Sequence, residues 1–230
     1  MTIKAILTDI EGTTSDIAFV HQVLFPYALE KLPAFVREHA EDAQVAPILQ
    51  DTREHIGQPD ATQDELIEMF QRWIATDQKV TPLKTLQGLI WKSGYEQGDF
   101  TGHVYADAVA ELKAWKTAGL ALYVYSSGSE QAQKLLFGHS DAGDITPLFS
   151  GYFDTRLGGK KEQASYTAIA DALEVSPADI LFLSDVEAEL DAAEMAGMDT
   201  CLLAREQPEV TSRHPVAQNF HDVSKHFKLP

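Results

Sequence analysis

The sequence predicts an α/β protein: a doubly wound parallel-sheet (Rossmann-like) core with a helical domain inserted after the first strand. Three observations predict this fold class. Short apolar runs without polar alternation, typical of strands covered on both faces, occupy residues 3–8, 120–125, 180–183 and 200–204. Helical segments separate the later runs, and about a hundred residues, mainly of helical pattern, follow the first run.

The region after the first predicted strand is the inserted domain. Its hydrophobic residues recur at helical spacing over residues 20–32, 32–40 and 63–75. A further apolar stretch at 86–91 precedes a glycine-rich segment. We therefore predict a core domain of residues 1–15 and 103–230, and a helical domain of residues 16–102.

The second half of the chain alternates strands with helices. Helices are predicted over residues 106–116, 161–173 and 187–196. Gly119 and Gly197 follow the first and the third of these helices, where glycine commonly ends a helix. Strand and helix in alternation indicate a parallel sheet with helices on both faces.

The charge balance is strongly acidic and limits the partners of the protein. The chain has 18 Lys and Arg against 35 Asp and Glu, a net charge of −17. Such a surface repels nucleic acids and anionic membranes, so we expect neither as a partner. An anionic substrate would need a local positive group, either a metal ion or an isolated lysine.

The remaining composition predicts a soluble, cytoplasmic protein. Cys201 is the single cysteine, so no intrachain disulfide forms, and its apolar neighbours indicate a buried thiol. The N-terminus lacks a secretory pattern, and no apolar run approaches the roughly 18 residues of a membrane span. We expect a monomer, although no pattern in the sequence decides the oligomeric state.

Polar residues at the predicted strand ends are the candidate site, because ligands of open α/β sheets bind beyond the carboxyl ends of the strands. The first, second and third strands are followed by informative groups, and a Gly-Gly-Lys segment precedes a helix. The candidates are Asp9, Glu11, Ser126, Ser127, Lys160, Asp185 and Glu189.

These residue types fit phosphoryl transfer. A carboxylate nucleophile such as Asp9 meets like-charge repulsion from a phosphate, roughly 4 kcal/mol for one pair of unit charges at about 4 Å and an effective dielectric near 20. Asp9 and Asp185 supply the hard oxygen ligands that Mg²⁺ prefers, and Lys160 adds a fixed positive charge. The serine turn at 126–129 offers an anion hydroxyl groups and free backbone N–H groups at the N-terminus of a helix.

Glu11 fits proton transfer. A carboxyl group two residues beyond the nucleophile lies on the same side of an extended chain. To act at neutral pH its pKa must rise from about 4.3 toward 7, roughly 3–4 kcal/mol of differential environment. Each candidate alone also has a structural explanation: a turn for Asp9 to Thr13, a surface position for Lys160, a helix cap for Asp185. Their joint occurrence in order, after hydrophobic strands, favours a phosphatase site.

The order of these residues resembles the haloacid dehalogenase superfamily of phosphatases. The resemblance implies that the helical insert is a cap domain. Most phosphatases of the superfamily have Asp at the acid/base position, where this chain has Glu11. That Glu, together with the segments at 125–129, 133–140 and 153–155, is similar to one family within it, the enolase-phosphatases of methionine salvage.

The resemblance implies a substrate, 2,3-diketo-5-methylthiopentyl-1-phosphate, which is enolised and then dephosphorylated to an acireductone. Asp9 would be the nucleophile and a metal ligand, and Glu11 a metal ligand through its carbonyl as well as the proton shuttle. The other implied roles are phosphate or substrate binding by Ser126 and Ser127, charge neutralisation by Lys160, Mg²⁺ binding by Asp185, and orientation of a metal-bound water by Glu189.

Several alternatives stay open at this point. A phosphatase on the same core could act on another small phosphate ester, a sugar phosphate or a nucleotide. Receiver modules also pair a strand-end Asp with Mg²⁺, but they are shorter and lack the insert, and a dehalogenase has no use for the Mg²⁺ pair. The enolisation base is open. Phe19, Trp91 and Tyr95 are available for an apolar substrate pocket, although packing is the simpler explanation.

Overall fold

The structure is a computed structural model that describes residues 3–76, 78–205 and 209–230. It contains two compact units. One comprises the residues up to Ile17 together with Thr101–Pro230, and the other comprises Ala18–Phe100. These divisions fall near the predicted domain boundaries, while the function of the helical unit as a cap stays a prediction.

The secondary structure elements are numbered along the chain. In the first half they are β1 (Ala5–Thr8), α1 (Ile17–Phe19), a π-helical turn (Val20–Leu24), α2 (Phe25–His39), α3 (Ala46–Ile56), α4 (Gln63–Ala75) and α5 (Thr81–Gln97). In the second half they are α6 (Ala106–Thr117), β2 (Ala121–Tyr125), α7 (Glu130–Gly138), β3 (Gly151–Phe153), α8 (Gln163–Leu173), β4 (Ile180–Ser184), α9 (Glu187–Met195), β5 (Asp199–Leu203), β6 (Val216–Ala217) and α10 (Phe220–Phe227), with short 3₁₀ turns at Thr146–Leu148 and Pro177–Asp179.

The strands form one parallel sheet in the order β3-β2-β1-β4-β5-β6. The predicted α/β class is therefore confirmed, and the strands predicted at 3–8, 120–125, 180–183 and 200–204 are β1, β2, β4 and β5. Strands β3 and β6 were not predicted from the sequence. Both are too short to show an apolar run, and β3 is only partly buried.

Helices cover both faces of this sheet, as the continuous apolar character of its strands requires. On one face the side chains of α8 and α9 pack with β1, β4 and Tyr125 in a buried cluster. On the other face α6 and α10 pack together, where the rings of Trp115 and Phe220 stack with centroids 5.4 Å apart. The indole N–H of Trp115 also donates to Ser224 Oγ at 2.9 Å. Helix α7 is the helix predicted, without bounds, after the serine turn, whereas α10 was not predicted.

The helical unit has its own core, formed by the apolar faces of α2 to α5. The two helical patterns predicted at 20–32 and 32–40 are corrected by the structure, because α2 runs unbroken through Pro33. Helix α3 was not predicted. Helix α4 begins with a capping box in which Thr62 and Glu65 bond to each other's backbone N–H groups.

The aromatic residues considered for a substrate pocket pack inside the helical unit. Tyr95 and Phe19 are buried, and both contact the ring of Phe100. Trp91 donates its indole N–H to the carbonyl of Leu24 at 2.8 Å. Along the described ranges, no helix combines the length and the apolar character that crossing a membrane requires.

The strand register brings the first candidate residues to one edge of the sheet. Thr8 at the end of β1 pairs with Val124 of β2 and with Leu183 of β4. The residues that follow these strands, Asp9, Ser126 and Asp185, therefore leave the sheet at the same carboxyl edge.

Candidate active site

Lys160 lies between two buried carboxylates. Its ammonium contacts Asp9 Oδ1 and lies 2.8 Å from Glu189 Oε2. The Lys160 side chain is 10% exposed, and Asp9 is 2% exposed. Burial alone would lower the pKa of Lys160, but the charges of Asp9 and Glu189 outweigh this effect and raise the pKa above its usual range. Lys160 is therefore a permanent cation directly beside the predicted nucleophile.

Hydroxyl groups hold the segment that carries Lys160. The Tyr166 hydroxyl donates to the Lys160 carbonyl at 2.6 Å, and the Tyr125 hydroxyl donates to the Gly158 carbonyl at 2.8 Å. Both tyrosines come from elements of the sheet core, α8 and β2. The ammonium of Lys160 thus extends from a fixed backbone.

Glu11 is held by the loop that follows β2. Ser126 Oγ donates to Glu11 Oε2 at 3.1 Å, and Ser126 Oγ in turn accepts from the N–H of Gly128 at 3.1 Å. Burial and, next in size, the negative charge of Asp9 raise the pKa of Glu11 to about 6. A carboxyl group with this pKa can both donate and accept a proton near neutral pH.

Asp185 approaches the loop that follows β1. Gly12 has φ of +75°, and a Cβ atom on it would lie 2.1 Å from Asp185 Oδ2. Although Asp185 is exposed, partial loss of hydration and the charge of Asp9 raise its pKa to about 6. Burial followed by the charge of Asp9 also raises the pKa of Glu189, whose Oε2 accepts from Ser184 Oγ at 2.9 Å.

The donor set around Asp9 suits a hard divalent cation. In the ranges that the structure describes, no cluster of three or more His, Cys, Asp or Glu side chains could hold a metal ion. The predicted set differs from such a cluster, since it combines two carboxylates, Asp9 and Asp185, with the backbone carbonyl of Glu11. All are oxygen donors of the kind Mg²⁺ prefers. The space beside Gly12, which a Cβ atom would fill, lets Asp185 approach the loop that carries Glu11.

Comparison with known sequences decides the family. Residues 3–197 match the haloacid dehalogenase-like hydrolases. The chain belongs to this family. Enolase-phosphatase E1 of Serratia proteamaculans is 56% identical over 96% of this chain and 96% of its own length. The protein of the same name from Azotobacter vinelandii is 58% identical, again over 96% of both chains.

A solved structure agrees with this assignment. The crystal structure of the UTR4 protein of Saccharomyces cerevisiae is 35% identical, superposes with a TM-score of 0.81, and covers 95% of this chain and 99% of that one. The predicted resemblance to the haloacid dehalogenase superfamily, and within it to the enolase-phosphatases, is confirmed. This haloacid dehalogenase-like hydrolase is a phosphatase.

The hydrolase brings together most of the predicted site residues. Lys160 contacts both Asp9 and Glu189, and Ser126 donates a hydrogen bond to Glu11. The catalytic and binding roles of these residues stay predictions. So does the role of Ser127, which is exposed next to Ser126 in the same loop.

The supporting residues of the hydrolase were missed by sequence reasoning. Gln133 Nε2 donates to the carbonyls of Gly128 and Phe153, both at 2.8 Å, and so ties the serine loop to β3. Asp154 Oδ2 accepts from the N–H of Glu130 at the start of α7. Gln133 and Asp154 stand in the motifs that carry the family resemblance, but a sequence does not show what their side chains bind.

A pocket of about 240 Å³ opens beside Gly12 and Asp185 in the core of the hydrolase. Its lining includes Gly12 and Asp16 after β1, Tyr105 before α6, Asp185 after β4 and Arg205 after β5. Arg205 was not a predicted site residue, and no local pattern distinguishes it from a surface arginine.

Proposed function

We propose that this phosphatase is the Mg²⁺-dependent bifunctional enolase-phosphatase of methionine salvage. It would convert 2,3-diketo-5-methylthiopentyl-1-phosphate into acireductone and phosphate, with the helical unit acting as a cap domain. The name enolase-phosphatase E1, carried by relatives that match almost the whole chain, supports the enolase-phosphatase activity. The observation that carries the mechanism is the placement of Lys160 against Asp9, with the Glu11–Ser126 pair at the same edge of the sheet.

In the phosphoryl transfer step, a carboxylate oxygen of Asp9 attacks phosphorus and the ester bond to the substrate oxygen breaks. Lys160 offsets the charge that develops on the phosphoryl oxygens, and Ser126 and Ser127 bind the phosphate or the substrate. The leaving oxygen takes the proton held by Glu11. This leaves a phosphorylated Asp9 and an ionised Glu11.

The hydrolytic step reverses the role of Glu11. Water attacks the phosphoryl group on Asp9 while Glu11 accepts a proton from it, so phosphate leaves and both carboxyl groups return to their starting states. The pKa of about 6 for Glu11 suits both directions of transfer near neutral pH. The same residue thus serves both proton transfers of the phosphatase steps without an additional base.

Mg²⁺ would be held by the carboxylates of Asp9 and Asp185 and by the Glu11 carbonyl, with Glu189 orienting a bound water from outside. When bound, Mg²⁺ offsets the negative charge of Asp9, of the phosphate and of the dicarbonyl oxygens. We also propose that the protein is a monomer and acts in the cytoplasm.

The test is an assay of the purified protein on the diketone phosphate and on a panel of sugar phosphates and nucleotides, each with Mg²⁺ and with a chelator. We expect phosphate release and the absorbance of a conjugated enediol with the diketone phosphate and Mg²⁺. Comparable turnover of sugar phosphates would replace the proposal by a general phosphatase. Asp9→Asn should abolish phosphate release, whereas Asp171→Asn, an exposed control on α8, should leave it unchanged.

A further inference from the structure

Arg205 connects the loop after β5 to the loop after β1. Its side chain is 9% exposed, and its Nε donates to the carbonyl of Thr13 at 2.6 Å. Thr13 itself is fully buried and lies two residues after Glu11. A buried charged donor therefore binds the backbone of the segment that carries the candidate active-site carboxyl groups.

The orientation of Arg205 is fixed from two further directions. Its Nη1 donates to both carboxylate oxygens of Asp107, at 3.1 and 3.2 Å. Asp107 is in turn held by the N–H of Phe220 at 2.8 Å. The guanidinium carbon lies 3.7 Å from the centroid of the Tyr105 ring. Elements α6 and α10 thus hold the guanidinium against the Thr13 carbonyl.

Stability alone does not explain this arginine. Its Nη2 is buried and has no hydrogen-bond partner within the part of the chain that the structure describes. A buried donor without a partner is destabilising, and apolar residues of similar volume often replace buried ion pairs without loss of stability. An apolar residue would lose the contacts to Asp107 and Tyr105 as well, but the contact to Thr13 is the one that reaches the loop carrying Glu11.

The turn that contains Thr13 couples the position of the Thr13 peptide to the positions of the Glu11 and Gly12 peptides. The N–H groups of Thr13, Thr14 and Ser15 all bond to the Ile10 carbonyl, at 3.1, 2.9 and 2.9 Å. The N–H of Gly12 bonds to the Ser15 carbonyl at 2.8 Å. In a turn closed this tightly, a displacement of the Thr13 peptide displaces the peptides of Glu11 and Gly12 as well.

We propose that Arg205 is a positioning residue that holds the Glu11 carbonyl where it can bind Mg²⁺, acting through the carbonyl of Thr13. This inference rests on the proposed function, since it takes the Mg²⁺ site from it. Groups that orient a metal ligand from outside commonly change metal affinity by about 10- to 100-fold when they are removed. Arg205 fills this role for a ligand that is a backbone carbonyl.

The test compares Arg205→Met with the wild-type full chain. Methionine keeps an apolar stem of similar length and removes all donors. We expect the Kd for Mg²⁺, measured by titration calorimetry on the metal-free protein, to rise by about 10-fold or more. We expect kcat to fall more than KM rises. Arg213→Met is the control, because Arg213 is an exposed arginine paired with Asp191 and Glu194 and should leave the Kd unchanged.

Two outcomes separate this inference from the proposed function. If the wild-type protein binds no Mg²⁺, the proposed function fails. If the wild type binds Mg²⁺ and Arg205→Met binds it equally well while losing stability, Arg205 is merely structural and the inference is wrong. Should Arg205→Met not fold, Arg205→Lys keeps the charge but loses the planar guanidinium that contacts Thr13 and Asp107 at once. Its Kd for Mg²⁺ should then exceed that of the wild type, and an unchanged Kd would again overturn the inference.

Discussion

Gly12 and Asp185 approach each other so closely that no side chain fits between them. A Cβ atom on Gly12 would lie 2.1 Å from Asp185 Oδ2 and 2.5 Å from its Cγ. Gly12 also has φ of +75°, in the left-handed region that glycine adopts without strain. The position of Asp185, the predicted metal ligand, therefore requires a glycine at residue 12.

The first prediction is that Gly12→Ala removes activity by displacing Asp185. The control is Gly119→Ala, because Gly119 has φ of +94°, and among the described residues no heavy atom beyond its chain neighbours lies within 4 Å of its Cβ position. Backbone strain should destabilise both variants by about 1–3 kcal/mol. Chemical denaturation and Mg²⁺ titration should show similar losses of stability but weakened Mg²⁺ binding in Gly12→Ala alone. Equal Mg²⁺ affinity in the two variants would refute the steric argument.

The second prediction concerns two tyrosine hydroxyls with different surroundings. Tyr166→Phe removes the donor to the Lys160 carbonyl, so we expect a loss of about 1 kcal/mol in stability and a lower kcat/KM. Tyr152→Phe is the matched control, since the buried Tyr152 hydroxyl has no hydrogen-bond partner in the described ranges. Its removal should leave stability unchanged or slightly raised. If urea denaturation shows the same loss for both variants, the Tyr166 hydroxyl does not stabilise the lysine segment.

The residues at strand ends were predictable from the sequence because two local signals coincide there. Asp9, Ser126 and Asp185 each follow a predominantly apolar run, and parallel strands place their carboxyl ends at one edge. Lys160 was identified by its order among the other candidates, although β3, which precedes it, was missed. Three residues in a partly buried strand do not give a pattern that separates them from a loop.

The supporting contacts were not predictable because they join distant parts of the chain. Arg205 and Thr13 are 192 residues apart in sequence, and their contact depends on the positions of β1 and β5 in the finished sheet. Tyr166 fits the apolar face of α8, so its hydroxyl gave no signal of its own. Helical continuity through Pro33 in α2 likewise depends on packing in the core of the helical unit, which overrides the local preference of proline.

The third prediction is a pH-dependent role of Asp154 in stability. Burial alone would raise the pKa of Asp154, but hydrogen bonds from Arg156 and from the Glu130 N–H outweigh it and hold the pKa below its usual range. Because the folded-state pKa is depressed, this stabilisation is complete above the unfolded pKa of about 3.9 and is lost as the pH falls through the folded value.

Asp154→Asn should therefore lower the free energy of unfolding by roughly 1–3 kcal/mol at pH 7, and the difference from wild type should shrink as the pH falls below about 3.9. Urea denaturation above and below this pH measures it, with Asp171→Asn as an exposed control. A difference that does not shrink with falling pH would show that the ionised carboxylate is not what stabilises α7.

The fourth prediction separates the proton transfer of Glu11 from metal binding. Glu11→Gln keeps the size of the side chain and the backbone carbonyl but carries no transferable proton. An alkyl phosphate, whose leaving oxygen needs that proton, should lose about 10²- to 10⁴-fold in kcat. The aryloxide of an aryl phosphate leaves without protonation, so phosphorylation of Asp9 should persist. The reaction should then give a burst of phenol, followed by slow hydrolysis of the phosphorylated Asp9.

The increase in Tm on adding Mg²⁺ should be the same in Glu11→Gln as in the wild type, because the proposed metal ligand at this residue is the carbonyl and ligand binding raises stability by mass action. Glu68→Gln, exposed on α4, is the control for the loss of a carboxylate elsewhere. A parallel loss of aryl and alkyl ester turnover, without a phenol burst, would mean that Glu11 acts before the chemical step. A lost Mg²⁺ response would instead assign the metal contact to the Glu11 side chain, since the carbonyl is present in both proteins.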